Sequence, residues 1–322
     1  MTDLPPSLRY YPDDRPGIRR RRCGRGFSYL AMDGSRIDDA AERARLKALA
    51  VPPAWEEVWI SPFKDGHLVA TGQDARARKQ YRYHPEWTAL QAAQKFSQLP
   101  EFAQALPRIR RRIRRDLAEE PGEEAFAVAA AAAMIDRLSL RVGNPEYTRE
   151  NGTYGALTLK GRHVRFSEGR LRISYTGKGG KKIRRQLADS RLMKALERIR
   201  DLPGAELLTW LGDDGEPRRV TSASLNTYLS EAGGIENLTA KTFRTWSGTV
   251  AAFGVAMDLE TPTIKAMAEA AAERLHNTPA IARNSYVHPD VLDLARSPRP
   301  LPEPSGTRDL TVAEQRLEAF LG

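Results

Sequence analysis

The chain has 322 residues, enough for two domains at roughly 150 residues each and for a sizeable core. Hydrophobic residues at 41% and charged residues at 29% exclude a disordered chain. The net charge of +10 rests on 51 Lys+Arg, 40 of them arginine, against 41 Asp+Glu. Guanidinium forks match phosphate oxygens, so this balance points to a polyanion such as nucleic acid, although arginine-rich codon usage produces the same bias. The single cysteine, Cys23, excludes an internal disulfide and paired-thiolate zinc sites. His67, His84, His163, His276 and His288 are scattered, with no two at metal-ligand spacing, so no histidine-based metal site is expected. The opening Met1-Thr2-Asp3-Leu4-Pro5-Pro6 lacks the basic start and apolar core of a signal peptide. The longest apolar run, Ala125 to Ile135, is too short for a bilayer, so a cytoplasmic protein without membrane contact is expected.

Residues 1–85 read as short strands with turns: Phe27–Met32 before an Asp33-Gly34 turn, then Val58–Ile60, His67–Ala70 and Lys79–Tyr83. One helix, Asp38–Ala50, interrupts them before Pro52-Pro53. From Pro85 the pattern turns helical, with Glu86–Phe96, Pro107–Ala118 and Glu123–Leu140. Pro107 is placed at a helix start, where its missing N–H costs nothing. A strand-rich island follows, with Ala156–Leu159, His163–Phe166, Leu171–Tyr175 and Ile183–Leu187 around a hairpin tip at Thr176–Lys182. Helices resume at Ser190–Arg200, Ser222–Ala232, Thr242–Met257 and Thr263–Leu275. A Pro-rich linker, Ser297–Pro304, leads to a last helix at Thr311–Leu321. The expected organisation is an N-terminal β-rich unit at 1–85, a mostly helical catalytic unit at 86–296, and a linker with a C-terminal helix at 297–322.

Four stretches place phosphate-handling residues beside glycine, tyrosine or turns. In Arg141-Val142-Gly143-Asn144-Pro145-Glu146-Tyr147 an arginine meets a glycine loop, which reads as a fork aimed into a cleft or as a helix C-cap. Lys178 sits in Thr176-Gly177-Lys178-Gly179-Gly180, either a reaching hairpin or a solvated one; glycine after the lysine excludes a P-loop. Lys241 and Arg244, three apart in Lys241-Thr242-Phe243-Arg244, share a helix face. Tyr286 falls about two turns after Thr278-Pro279; it is a nucleophile only if cations stabilise the phenolate, and otherwise a half-buried aromatic. Two basic runs, Arg19–Arg22 ahead of the first strand and Arg108–Arg115 on an amphipathic helix, suit neutralisation of a phosphate backbone.

In this order the four stretches resemble the catalytic constellation of type IB DNA topoisomerases, the small poxvirus-like and bacterial branch, from about Val51 to Pro289. Asn151-Gly152-Thr153-Tyr154-Gly155-Ala156-Leu157-Thr158-Leu159-Lys160 is the most specific part. The resemblance implies an α+β fold: a small β-rich N-terminal domain and a larger, mostly helical catalytic domain with a short antiparallel sheet, together a clamp around duplex DNA. It implies Arg141 and Arg244 on the scissile phosphate, Lys178 as general acid and Tyr286 as nucleophile. Where poxvirus members carry a histidine nine residues before the nucleophile, this chain has Asn277 with His276 beside it. Lys79-Gln80-Tyr81-Arg82-Tyr83 resembles the family strand that lies in the major groove, so Gln80, Tyr81 and Tyr83, with Tyr147 and Lys241, are the implied DNA contacts. The implied activity is relaxation of supercoils through a 3′-phosphotyrosine intermediate, by a nucleoid-associated monomer without ATP or metal. A tyrosine recombinase and a non-enzymatic basic DNA-binding protein are the alternatives.

Overall fold

A computed structural model describes residues 4–322, which divide after Lys95 into two units. In the first, β1 (Ile18–Cys23), β2 (Gly26–Leu30), β3 (Glu56–Ile60), β4 (Leu68–Gln73) and β5 (Lys79–Tyr83) form one antiparallel sheet in the order β2-β1-β3-β4-β5. Side chains alternate across a strand, so one face carries Ile18, Tyr29, Val58, Ile60 and Ala70 into a small core. Helix α1 (Ala40–Ala48) closes that core with Leu46 and is capped by Asp39, whose carboxylate accepts from the Glu42 N–H at 2.7 Å. Helix α2 (Pro85–Ser97) carries the division between the units.

The second unit is built around α4 (Glu124–Leu138), flanked at its start by α3 (Leu99–Asp116). Seven alanines leave α4 thin enough to be buried along nearly its whole length, packed by α3, α6 (Ser190–Arg200), α7 (Ser222–Gly233) and α8 (Ala240–Asp258). Between α4 and α6 lie α5 (Pro145–Asn151) and an antiparallel sheet of β6 (Val164–Ser167), β7 (Arg170–Thr176) and β8 (Lys182–Leu187). A short ribbon, β9 (Thr209–Leu211) with β10 (Pro217–Arg219), precedes α7. Helices α9 (Ile264–Leu275), α10 (Pro279–Tyr286), α11 (Pro289–Asp293) and α12 (Val312–Leu321) complete the chain, with α9 and α10 packed on α8. The chain is therefore α+β, as expected.

The departures have identifiable causes. Arg19–Arg22 do not precede the first strand but form β1; Arg20 is spent on the carbonyls of Val51, Pro52 and Trp55 at 2.7–2.9 Å. Pro107 lies inside α3 rather than at its start, because Pro100 occupies the first turn and burial of Phe102, Leu106 and Ile109 outweighs one lost hydrogen bond. Ala156–Leu159 is not a strand: Gly155 leads into a 3₁₀ turn over Ala156–Thr158, whose chain pairs with the Arg141 segment instead. Of the arginines in the Arg108–Arg115 run only Arg110 is buried, on Asp136 and Glu314, while Arg112 and Arg115 pair with Asp116 and Arg114 with Asp309.

Candidate active site

The end of α4 begins the site. Ser139 caps it in a left-handed conformation (φ 53°), and the chain turns to present Arg141. The N–H groups of Ala156 and Leu157 donate to the carbonyls of Arg141 and Val142, both at 2.8 Å. That pairing needs Gly155, since a Cβ there would stand 2.6 Å from the Arg141 oxygen and 2.5 Å from the Gly143 nitrogen. The backbone under Arg141 is thus pinned, and its guanidinium donates to Asn277 Oδ1. Asn277 Nδ2 is buried and has no partner, so one amide donor is held in reserve.

Arg244 comes from the first turns of α8 and is 4% exposed. Its guanidinium donates to the carbonyls of Ser139 and, at 3.1 Å, Leu275, while Nε has no partner. It lies 5.3 Å from the centre of the Tyr286 ring. Burial pushes Arg244 below the usual arginine range, and its interaction with Tyr286 opposes that. Tyr286 ends α10 and is half-buried; Thr249 Oγ1 donates to its carbonyl at 3.2 Å. Gly248 permits this approach, because a Cβ would stand 2.8 Å from the Tyr286 carbonyl oxygen and 2.8 Å from Leu275 Cδ1.

Lys178 is exposed at the tip between β7 and β8, where Gly179 and Gly180 take positive φ of 76° and 74°. Together with Arg141, Arg244, Ser139, Tyr175 and His276 it lines one small pocket. The structure therefore brings Arg141, Lys178 and Arg244 together, with Asn277 against Arg141 and Tyr286 against Arg244. Tyr147 (48% exposed) and Lys241 stand outside this pocket, on α5 and the first turn of α8. In the N-terminal unit, Tyr81 and Tyr83 are exposed and stacked, ring centres 6.1 Å apart, while the Gln80 amide donates to Asp74 at 3.0 Å.

Two neighbours, Tyr175 and Arg185, were not singled out from the sequence. Tyr175 is buried beside the arginines; burial pushes its hydroxyl up, and Arg244, Arg141 and Arg185 oppose that. Arg185 is brought down to about 10 by burial and then by Arg274, and its Nε has no partner. Strand alternation was the available signal, since Tyr175 follows Leu171 and Ile173 inward and Arg185 shares a face with Ile183. His276, the αL cap of α9, is held below the usual histidine range by burial and by Arg185, and its buried Nε2 has no partner.

A cluster of cations around a tyrosine can hold a phosphate and attack it. The family model of the eukaryotic DNA topoisomerase I catalytic core matches residues 84–282, and that of the bacterial DNA topoisomerase IB N-terminal domain matches residues 26–74. The chain is similar to DNA topoisomerase 1B of Acanthamoeba polyphaga mimivirus, 28% identical over 294 residues, covering 86% of this chain and 87% of that one. It is also similar to DNA topoisomerase 1B of Vaccinia virus (strain Copenhagen), 23% identical over 247 residues, covering 75% and 76%. Among solved structures, the XerH site-specific recombinase bound to palindromic difH substrate aligns at TM-score 0.40 and 16% identity, over 58% of this chain and 49% of that chain. The catalytic-core match spans more than half of the chain, which belongs to the type IB DNA topoisomerase family and is an enzyme of that class.

Proposed function

We propose that this enzyme relaxes supercoiled duplex DNA by breaking and resealing one strand through Tyr286. Arg141 and Arg244 hold the scissile phosphate and stabilise charge as it develops, and Asn277 adds a hydrogen bond from its free amide nitrogen. The Tyr286 oxygen attacks phosphorus in line, its hydroxyl proton passing to solvent water, and forms a 3′-phosphotyrosine ester. The bond to the 5′ oxygen breaks, and that oxygen takes a proton from Lys178. The free end then rotates, strain relaxes, and the 5′ hydroxyl returns to displace the tyrosine. The ester conserves the bond energy, so ATP is not consumed. Two guanidiniums supply the charge a divalent ion would otherwise bring, so Mg²⁺ is dispensable. The observation that carries this reading is the placement of Arg244: buried, anchored on two backbone carbonyls, and set against the Tyr286 ring.

On this reading Gln80, Tyr81 and Tyr83 face the groove edge of the bases, and Tyr147 and Lys241 meet phosphates. A site whose arginines, lysine and tyrosine gather within a single fold needs no residue from a second copy, so the enzyme acts as a monomer; its DNA substrate associates it with the nucleoid. Plasmid relaxation in EDTA without ATP tests the reading. Relaxation supports it; site-dependent strand exchange, or binding with no change in linking number, overturns it.

A further inference from the structure

The carboxylate of Glu314, on α12, is 6% exposed and serves more than its own helix. A capping-box glutamate ordinarily reaches back to the first turn and stays in water. Glu314 Oε2 does accept from the Thr311 N–H at 2.8 Å. It also accepts from Arg110 through both oxygens, at 2.8 and 3.0 Å, and from Trp246 Nε1 at 3.2 Å. Arg110 in turn grips Asp136 through two bonds of 2.9 Å. One buried carboxylate on the last helix is thereby tied to α8 through Trp246 and to the end of α4 through Arg110 and Asp136.

Those two attachment points lie beside the site. Trp246 follows Arg244 by two residues; Asp136 precedes Ser139 by three and Arg141 by five. Arg244 is held by the carbonyls of Ser139 and Leu275, so its aim depends on how α8 registers against the end of α4. Apolar packing at Phe320 and Leu317 can dock α12 but sets no register. Buried ions offer little net stability over a hydrophobic contact of the same volume, but their bonds are directional.

We infer that Glu314 is a positioning residue, fixing the register of α8 against α4 and so the aim of Arg244 relative to Arg141. The inference rests on the proposed role of Arg244 at the scissile phosphate. Misplacement of a reacting group by about 1 Å costs on the order of 10²-fold in rate.

The test is single-turnover cleavage of a duplex by the full chain carrying Glu314→Gln, Arg244→Ala, or both. Glutamine keeps the volume but sets an amide N–H against Arg110. Glu314→Gln should slow cleavage by about 10–10²-fold with DNA affinity unchanged. The double variant should be no slower than Arg244→Ala alone, because a misaimed guanidinium that is already absent cannot be lost twice. Arg316→Ala removes an anchor of α12 to the Pro302 carbonyl without touching α8, and should cleave normally. If Glu314→Gln does not fold, Trp246→Phe removes the same link from α8 and is read in the same cycle. A normal rate for Glu314→Gln, or fully additive losses in the double variant, overturns the inference while leaving Arg244 in its role. A normal rate for Arg244→Ala overturns the role of Arg244 itself, and the inference with it.

Discussion

The guanidinium of Arg244 sits 5.3 Å from the centre of the Tyr286 ring, and both of its terminal nitrogens are committed to carbonyls from other segments. A fixed cation beside the attacking tyrosine can stabilise the negative charge that develops on the phosphate during attack. The arrangement also fixes the cation before DNA arrives, so none of its ordering is left for the transition state.

Arg141→Ala and Arg244→Ala should each slow single-turnover cleavage by on the order of 10²–10³-fold with little loss of affinity, since affinity for duplex comes chiefly from many phosphate contacts. Arg244→Lys should rescue poorly, because an ammonium cannot span two carbonyls and still meet Tyr286. Cleavage kinetics at saturating enzyme check this. Full rates for either alanine variant would confine that arginine to binding.

The fourth phosphate contact separates Asn277 from His276. Asn277 Oδ1 is taken by Arg141, leaving Nδ2 free to donate. Asn277→Asp keeps the acceptor but replaces the donor with negative charge, so cleavage should drop by at least about 10²-fold. His276→Ala should cost much less. The reverse order in a cleavage assay would move the role to His276.

Lys178 stands on a glycine hairpin, and a positioned acid contributes about 10²–10⁴-fold to expulsion of an alkoxide. Lys178→Ala should be slowed accordingly on normal DNA. With sulfur at the bridging 5′ position, the thiolate leaves without a proton and the defect should largely vanish, while those of Arg141→Ala and Arg244→Ala remain. Equal Lys178→Ala defects on both substrates would assign it to grip alone.

Much of this site was readable from residue order: Arg141, Lys178, Arg244 and Tyr286 occupy the elements expected of them, and β5 has the expected bounds. What was not readable depended on tertiary contacts. The Arg108–Arg115 run looks like a phosphate-binding face until the C-terminal segment, more than 190 residues away, brings Asp309 and, on α12, Glu314 to it. Ala156–Leu159 has an apolar strand composition, yet the close approach of Gly155 to Arg141 curls it into a turn. Pro107 marks a helix start only locally; the buried face of α3 continues past it on both sides. The short α5 and the β9–β10 ribbon carry too few periodic residues to be recognised alone.

Alanine in a helix interior ordinarily gains up to about 1 kcal/mol over glycine. At Gly248 its Cβ would meet the Tyr286 backbone at 2.8 Å, and overpacking of that kind costs about 1–3 kcal/mol. Gly248→Ala should therefore lower the melting temperature and slow cleavage by shifting α10. A higher melting temperature with normal cleavage would show slack between α8 and α10.

Acid stability reports on Glu314. Burial pushes its carboxyl up, but the hydrogen bonds and charge of Arg110 outweigh burial and leave it below its ordinary 4.5. As pH falls, the unfolded chain takes up this proton first. The stabilisation is therefore complete above about 4.5 and is lost as pH drops through the lower folded value. Wild type should lose melting temperature more steeply than Glu314→Gln below that pH. Parallel curves would mean that folding leaves this carboxyl at its ordinary value.

The identity of the covalently attached residue tests the account most directly. Wild-type enzyme is trapped on a duplex whose cleaved end cannot be rejoined, digested, and the DNA-bearing peptide sequenced, alongside Tyr286→Phe. The account predicts a phosphodiester on Tyr286 at the DNA 3′ end, and no adduct from Tyr286→Phe despite near-normal binding. An adduct on another residue, or one that survives Tyr286→Phe, would contradict it.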